Sequence, residues 1–240
     1  MTKLFIVFLT AALFTLHAED AVKAVLFPFR ETVIASRVES TLQPYRFRIG
    51  ELFKKDEIIT TLDDADYALK LNEKKNLLEF SKAVYNDKKE LREKNFASGF
   101  ELQKAEFEFR MAENAFREAE LNLSRCRIKA PFTGKIVEIL TKEYETVRPG
   151  QQLFRIIDDT SLLALMNVPL NRVSPAGSGV SLKLDCGKVV KGTVYEVAPQ
   201  ADHRSGTVRI RVLIENKSGE IRPGMTGEMI YAKLRKCRPA

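Results

Sequence analysis

Apolar and polar positions change rhythm several times along the chain. Leu4 to Leu16 is an almost unbroken apolar run, preceded by Met1-Thr2-Lys3 and followed by His17-Ala18 and Glu19-Asp20. One positive charge, a short apolar stretch and a small residue at its end form the layout of a secretory signal peptide over residues 1–18. The run is shorter than the roughly 20 residues that cross a bilayer, so an uncleaved anchor helix is the lesser alternative. From Ala21 to Leu62 the texture is short and β-like, as in Glu31–Val38 and Asp56–Leu62, punctuated by Pro28, Pro44 and Gly50. From Asp64 to Arg127 there is no Pro and one Gly, Gly99, in a background of Ala, Leu, Glu, Lys and Arg, which predicts two long helices joined at Gly99.

The second helical arm carries the clearest periodicity. Leu102, Ala105, Phe109, Ala112, Phe116, Ala119, Leu123 and Cys126 alternate at spacings of three and four, a heptad seam in which large and small residues take turns. On the first arm Leu71, Leu78 and Tyr85 mark one row, and Leu77, Phe80, Val84 and Leu91 mark another. Two stripes mean either one broad buried face or packing on both the partner arm and a neighbouring subunit. Arms of about 30 residues make a rod about 45 Å long, too thin to enclose a pocket. β texture returns from Arg127 to Ile157, with turns at Pro131, Gly134, Pro149 and Gly150, and continues from Thr160 to about Leu234. In Thr207–Ile214, Val208, Ile210, Val212 and Ile214 face one way while Arg209 and Arg211 face the other. An antiparallel hairpin returns the chain to its origin, so Leu62 and Ile128 must be neighbours. The two β halves are then expected to form one domain with the hairpin extruded from it.

Composition narrows the chemistry. In 240 residues, 39 Lys and Arg oppose 32 Asp and Glu, for a net charge of +7. In an exported protein this favours anionic lipid head groups or acidic partner surfaces over nucleic acid. Three Cys without a CxxC pair exclude a zinc ribbon and a disulfide-stapled miniprotein. Cys186 and Cys237 are candidates for a disulfide in an oxidising compartment, while Cys126 sits in the seam as a small apolar residue. His203 has no second His or paired Cys at ligand spacing. Ser/His/Asp sets, phosphate-cradling loops and defined carboxylate pairs are lacking as well, so neither an enzyme nor a cofactor or metal is expected.

Several motifs carry a resemblance. Arg127-Ile-Lys-Ala-Pro131-Phe-Thr-Gly134 and Val147-Arg-Pro-Gly150 resemble the post-hairpin strand and turn of the membrane fusion proteins, or periplasmic adaptor subunits, of tripartite efflux pumps (the HlyD/RND-adaptor family). Gly192-Thr-Val-Tyr-Glu-Val-Ala-Pro199, Asp202, Ser205-Gly-Thr207-Val-Arg209 and Arg222-Pro223-Gly224-Met225 are similar to that family's barrel motifs. The resemblance implies a mixed α and β fold: a split lipoyl-like barrel-sandwich hybrid with an inserted antiparallel coiled-coil hairpin, followed by a small β-barrel. Its parts fall at 19–62 (N-terminal strands and first lipoyl-like half), 63–127 (hairpin), 128–158 (second half), 159–236 (barrel) and a 237–240 tail. In the first half Gly50-Glu51 matches, but Lys55-Asp56 stands where the family has a Gly turn. A membrane-proximal domain is expected to be absent or reduced to residues 21–29 and the last few residues.

The resemblance also implies a role. The chain would link an inner-membrane transporter, RND-type in preference to ABC, to a TolC-like outer-membrane channel. It would do so as a ring, trimer or hexamer, in the periplasm and peripheral to the inner membrane, or anchored if the signal is retained. The family docks the channel through an Arg, a Leu and a Ser at the hairpin tip. Leu91 and Ser98 match, whereas Asp87 falls at the Arg position with Lys88 and Lys89 beside it. Phe96, Gly99 and Phe100 complete the expected tip. Competing readings are a periplasmic metal-binding chaperone feeding a heavy-metal pump and a non-transport structural coiled-coil protein. The lipoyl-like motifs also occur in biotinyl and lipoyl carriers, but here the helical insertion occupies the place of the modified Lys.

Overall fold

A computed structural model describes residues 21–230, so the signal peptide, Cys237 and the 237–240 tail lie outside the described residues. Its elements are β1 (Lys23–Ala35), β2 (Ser40–Thr41), β3 (Leu52–Phe53), β4 (Ile58–Thr61), α1 (Ala65–Glu93), α2 (Gly99–Arg125), β5 (Arg127–Lys129), β6 (Gly134–Ile139), β7 (Thr146–Val147), β8 (Gln152–Pro169), β9 (Gly179–Leu184), β10 (Val189–Asp202), β11 (Thr207–Glu215) and β12 (Thr226–Ile230). They divide between two units, one of residues 28–161 with 216–220, the other of the remaining described residues.

In the first unit, strands from before the helices pair with strands from after them. Ser40 faces Val147, Leu52 faces Lys135, Phe53 faces Gly134, and Thr60 and Thr61 face Ile128 and Arg127. The core is assembled the same way, with Leu42, Phe53, Ile59 and Leu62 packed on Cys126, Ile136, Val147, Phe154 and Ile156. Neither half buries its apolar face alone. Gly134 sits where β6 presses close on β8 within the second half: a Cβ there would lie 2.1 Å from the Ile157 carbonyl oxygen.

Four tight turns shape this unit, and they share one construction. In Arg48–Glu51, Lys54–Glu57, Lys142–Glu145 and Arg148–Gln151 the fourth N–H bonds to the first carbonyl, and the fourth side chain accepts a hydrogen bond from the first N–H. The third residue is left-handed each time: Gly50 (φ 87°), Asp56 (65°), Tyr144 (64°) and Gly150 (88°). Positive φ at the third position is the mark of a type II turn, and Pro149 occupies the second position it favours. The family's Gly, absent at Lys55-Asp56, is replaced by an Asp that takes the same backbone region at a steric cost.

The helices pair as a hairpin. Tyr67, Leu71, Leu78, Ser81 and Tyr85 of α1 are buried or half-buried, and the Tyr85 ring stacks on Phe109 of α2 at 5.7 Å and 6°. On α2 Ala105, Ala112 and Ala119 are buried, with Leu102, Phe109, Phe116 and Leu123 half-buried between them. The small residues let the helices approach, and the large ones fill the space beside them. In the second row of α1, Leu77, Phe80 and Leu91 are exposed and Val84 is half-buried. The predicted break at Gly99 is corrected. α1 ends at Glu93, residues 94–98 form the connection, and Gly99 is the first residue of α2 with ordinary φ.

In the second unit the strand pairings close on themselves, β1 to β12, β9, β10, β11, β8 and back to β1. Lys23–Val25 pair with Thr226–Glu228 inside this ring, so the segment expected as a membrane-proximal remnant is instead one of its strands. Leu26, Leu162, Leu182, Ile210 and Val212 are fully buried in its core. Arg209 and Arg211 face outward, as the alternation predicts.

Urea unfolding followed by circular dichroism should separate these positions. Gly134→Ala should lower stability by roughly 1–3 kcal/mol through overpacking against backbone. Asp56→Gly should raise it by about 1 kcal/mol, the steric cost that an L-residue meets in the left-handed region. Gly99→Ala should be neutral or stabilising by up to about 1 kcal/mol, because the position is helical and open. Burial pushes the Cys126 thiol up to about 11, with Asp64 and Asp63 adding to the shift. Iodoacetamide at mildly alkaline pH under reductant should therefore label the exposed Cys186 and spare Cys126 until the protein unfolds, as read by peptide mass mapping.

Candidate functional site

The hairpin apex is built by two helix caps in succession. α1 ends with Asn95 left-handed (φ 58°), the Asn95 N–H bonded to the Arg92 carbonyl and the Phe96 N–H to the Leu91 carbonyl at 2.7 Å. This is the Schellman arrangement, with Asn in the place more often held by Gly. α2 begins with a capping box. The Ser98 hydroxyl accepts from the Glu101 N–H at 3.1 Å, and Glu101 accepts from the Ser98 N–H at 2.7 Å. Between the caps Ala97 is buried, and its carbonyl accepts from the Arg92 guanidinium at 3.3 Å.

The caps present two aromatic rings to solvent. Phe96 is 79% exposed and Phe100 76%, while Leu91 lies lower on α1 at 39%. Rings held outward at a well-bonded turn are the costliest apolar exposure of the apex unless a partner covers them. Of the other expected tip residues, Ser98 is occupied as a cap. Lys88 lies 3.4 Å from Glu101, and Asp87 and Lys89 are exposed beside it. The Ser98 N–H and hydroxyl, then Lys88, hold the Glu101 carboxyl below the usual range. That contribution to the cap is present above the ordinary Glu pKa and fades as pH falls through the lowered value.

Asn95 and Glu101 are not among the residues that the sequence pattern singles out. Ser98-Gly-Phe-Glu101 does carry the capping-box spacing, and Asn95 the left-handed preference of a helix end.

The remaining motif residues build turns and close contacts. Gly50 and Gly150 are the left-handed residues of two repeated turns, and Pro131 is exposed just ahead of buried Phe132 and Gly134. Gly192 admits Val212 and the Leu213 carbonyl, which a Cβ would meet at 2.5 and 2.8 Å. Pro199 falls within the register shift between Val197 and Ala201, where a strand tolerates a residue without an N–H. Asp202 accepts from the Arg204 and Gly206 N–H groups, and the hydroxyls of Ser205 and Thr207 lie 2.7 Å apart. In Arg222-Pro223-Gly224-Met225, Gly224 is left-handed and bonds to Leu26, while the Leu26 N–H bonds back to Met225. Among the described residues there is no cluster of three or more His, Cys, Asp or Glu able to hold a metal ion.

Comparison with known proteins agrees with this architecture. The family described as "CusB-like, beta-barrel domain" matches residues 175–234, which include β9 to β12. The nodulation protein NolF of Rhizobium meliloti (strain 1021) is 24% identical over 218 residues, covering 83% of this chain and 59% of NolF. The cobalt-zinc-cadmium resistance protein CzcB of Cupriavidus metallidurans is 22% identical over 217 residues, covering 80% of this chain and 40% of CzcB. The chain thus spans about half the length of these curated relatives. Among solved structures, a MacA-MexA chimera containing the Pseudomonas aeruginosa MexA alpha-hairpin domain superposes with a TM-score of 0.75 at 18% identity, over 87% of this chain and 79% of the chimera. In its motifs, its split β unit interrupted by paired helices and its CusB-like strands, the chain is similar to the membrane fusion proteins, or periplasmic adaptors.

Proposed function

We propose that this protein is the periplasmic adaptor of an efflux system, joining an inner-membrane transporter to a TolC-like outer-membrane channel. The observation that carries this reading is the apex: two exposed Phe rings on a doubly capped turn, at the end of a helical pair whose base is tied by β4 and β5. In this reading the hairpin is the family's antiparallel coiled coil and the first unit its lipoyl-like barrel-sandwich hybrid. The second unit is the small β-barrel. Leu91, Phe96 and Phe100 contact the channel. Ser98 holds the turn that presents them, and Gly99 begins the helix after it. Lys88 supplies the positive charge that Asp87 lacks. The exposed row of Leu77 and Phe80 supports packing of hairpins from neighbouring copies into a ring, trimer or hexamer.

The protein makes and breaks no bond and takes no cofactor; its work is coupling and sealing. An apolar run ahead of the described residues supports export by a signal peptide to the periplasm, at the inner-membrane surface. The Leu91 and Ser98 correspondence favours an RND partner over an ABC one. A second reading concerns cargo: the name of CzcB points to divalent transition-metal ions, handled by a heavy-metal pump.

Both readings meet one experiment, in which a host lacking the gene is complemented with variants and grown against toxic organic compounds and against cobalt, zinc and cadmium salts. Leu91→Asp with Phe96→Ser and Phe100→Ser should leave the melting temperature unchanged and abolish tolerance. An anchoring aromatic contributes about 2 kcal/mol or more to an interface, about 30-fold in affinity. Undiminished tolerance would refute the docking tip, and loss of metal tolerance alone would select the metal reading. Ser98→Ala should act differently, costing about 1 kcal/mol of hairpin stability through the lost cap.

A further inference from the structure

In the unit of residues 28–161, a cleft of about 690 Å³ opens between the last turn of α2, β5 and the end of β1. Four of its lining residues are cations, Arg37, Arg125, Arg127 and Lys129, and none is a carboxylate. They come from three parts of the unit. Arg127 and Lys129 are two apart on β5, so they share the face opposite buried Ile128. Arg125 is the last residue of α2, and Arg37 follows β1. Of the unit's acidic side chains, Glu31 and Glu138 pair with Arg155 and Asp159 pairs with Lys135, while Asp63 and Asp64 lie near Cys126, beside Arg127. Among the described residues, none of the four lining cations lies in an ion pair.

Arg125 supplies a second, independent observation. It donates to the Asn122 side chain at 3.0 Å, but its Nε is sealed from solvent with no hydrogen-bond partner among the described groups. A buried donor left unbonded is destabilising, and four clustered like charges repel one another. The negative end of the α2 dipole accounts for a cation in its last turn, but not for Arg37 or Lys129. Beside the cations, Leu121 and Phe132 give the cleft apolar walls. Its volume lies within the roughly 300–1,000 Å³ of small-ligand sites.

We propose that this cleft binds an amphipathic anion. Its phosphate or carboxylate sits among the four cations, and its hydrocarbon part lies against Leu121 and Phe132. A membrane lipid headgroup and a soluble alkyl or aryl phosphate share this chemistry. The inference does not rest on the adaptor reading, since it concerns binding by the protein alone.

Isothermal titration of the full chain with dodecyl phosphate, below its micelle concentration, tests it. Saturable one-site binding is expected, weakening with salt and about tenfold or more weaker in Arg125→Gln/Lys129→Gln and in Arg37→Gln/Arg127→Gln. The second pair lies outside the helices, so it keeps the test valid if the first disturbs α2. Inorganic phosphate and dodecyl maltoside, each carrying half of the ligand's chemistry, should bind far more weakly. Sedimentation with phosphatidylglycerol vesicles separates the two sources: capture lost in the variants assigns a lipid headgroup, and no capture assigns a soluble anion. Equal affinity in both double variants, equal affinity for the maltoside, or no saturable heat would overturn the proposal.

Discussion

The pairing of β4 with β5 is the constraint on which the molecule depends. It brings Thr61 against Arg127, and the next hydrogen bond, from the Leu62 N–H to the Cys126 carbonyl, leads directly into the helices. Closing a flexible loop of roughly 65 residues would cost about 4 kcal/mol of chain entropy. The paired helices avoid most of that cost, because each turn of one is held by the turn beside it. The strand pair in turn fixes the angle at which both helices leave the unit. Base and hairpin therefore stabilise each other.

The same unit uses one turn design four times, two turns before the helices and two after, six residues apart in each case. A side chain three residues on caps the first N–H, so each turn is locked by local bonds rather than by packing. Asp56 and Tyr144 meet in two of them a steric cost that the glycines at Gly50 and Gly150 avoid.

The apex applies similar local chemistry to a different end. Its backbone groups are satisfied by Asn95, Ser98 and Glu101, so the conformation does not depend on the aromatic rings. Phe96 and Phe100 are then free to face outward without loosening the turn. The motif residues of the second unit, Gly192, Asp202 and Gly224 among them, likewise serve backbone geometry. The chain thus keeps most of its recognisable motifs for architecture and leaves its exposed chemistry to the apex and to the basic cleft.

The sequence alone determined the periodic elements. The alternation of Leu and Phe with Ala from Leu102 to Leu123 specifies a tight helical seam, because 3.5-residue spacing places those side chains on one line. The alternation in β11 specifies its buried face for the same reason, with a period of two. Two stripes on α1 looked equivalent as patterns; only the tertiary structure decided that Leu71, Leu78 and Tyr85 go inside while Leu77 and Phe80 stay out, since that depends on where α2 lies. The helix break was misplaced at Gly99 because composition marks flexibility, whereas the actual break follows from the bonds of Asn95 and Ser98. The strand role of Lys23–Val25 and the meeting of Arg37 with Arg125, Arg127 and Lys129 join residues far apart in the chain. No local pattern encodes such proximity, and it exists only once the strands have paired.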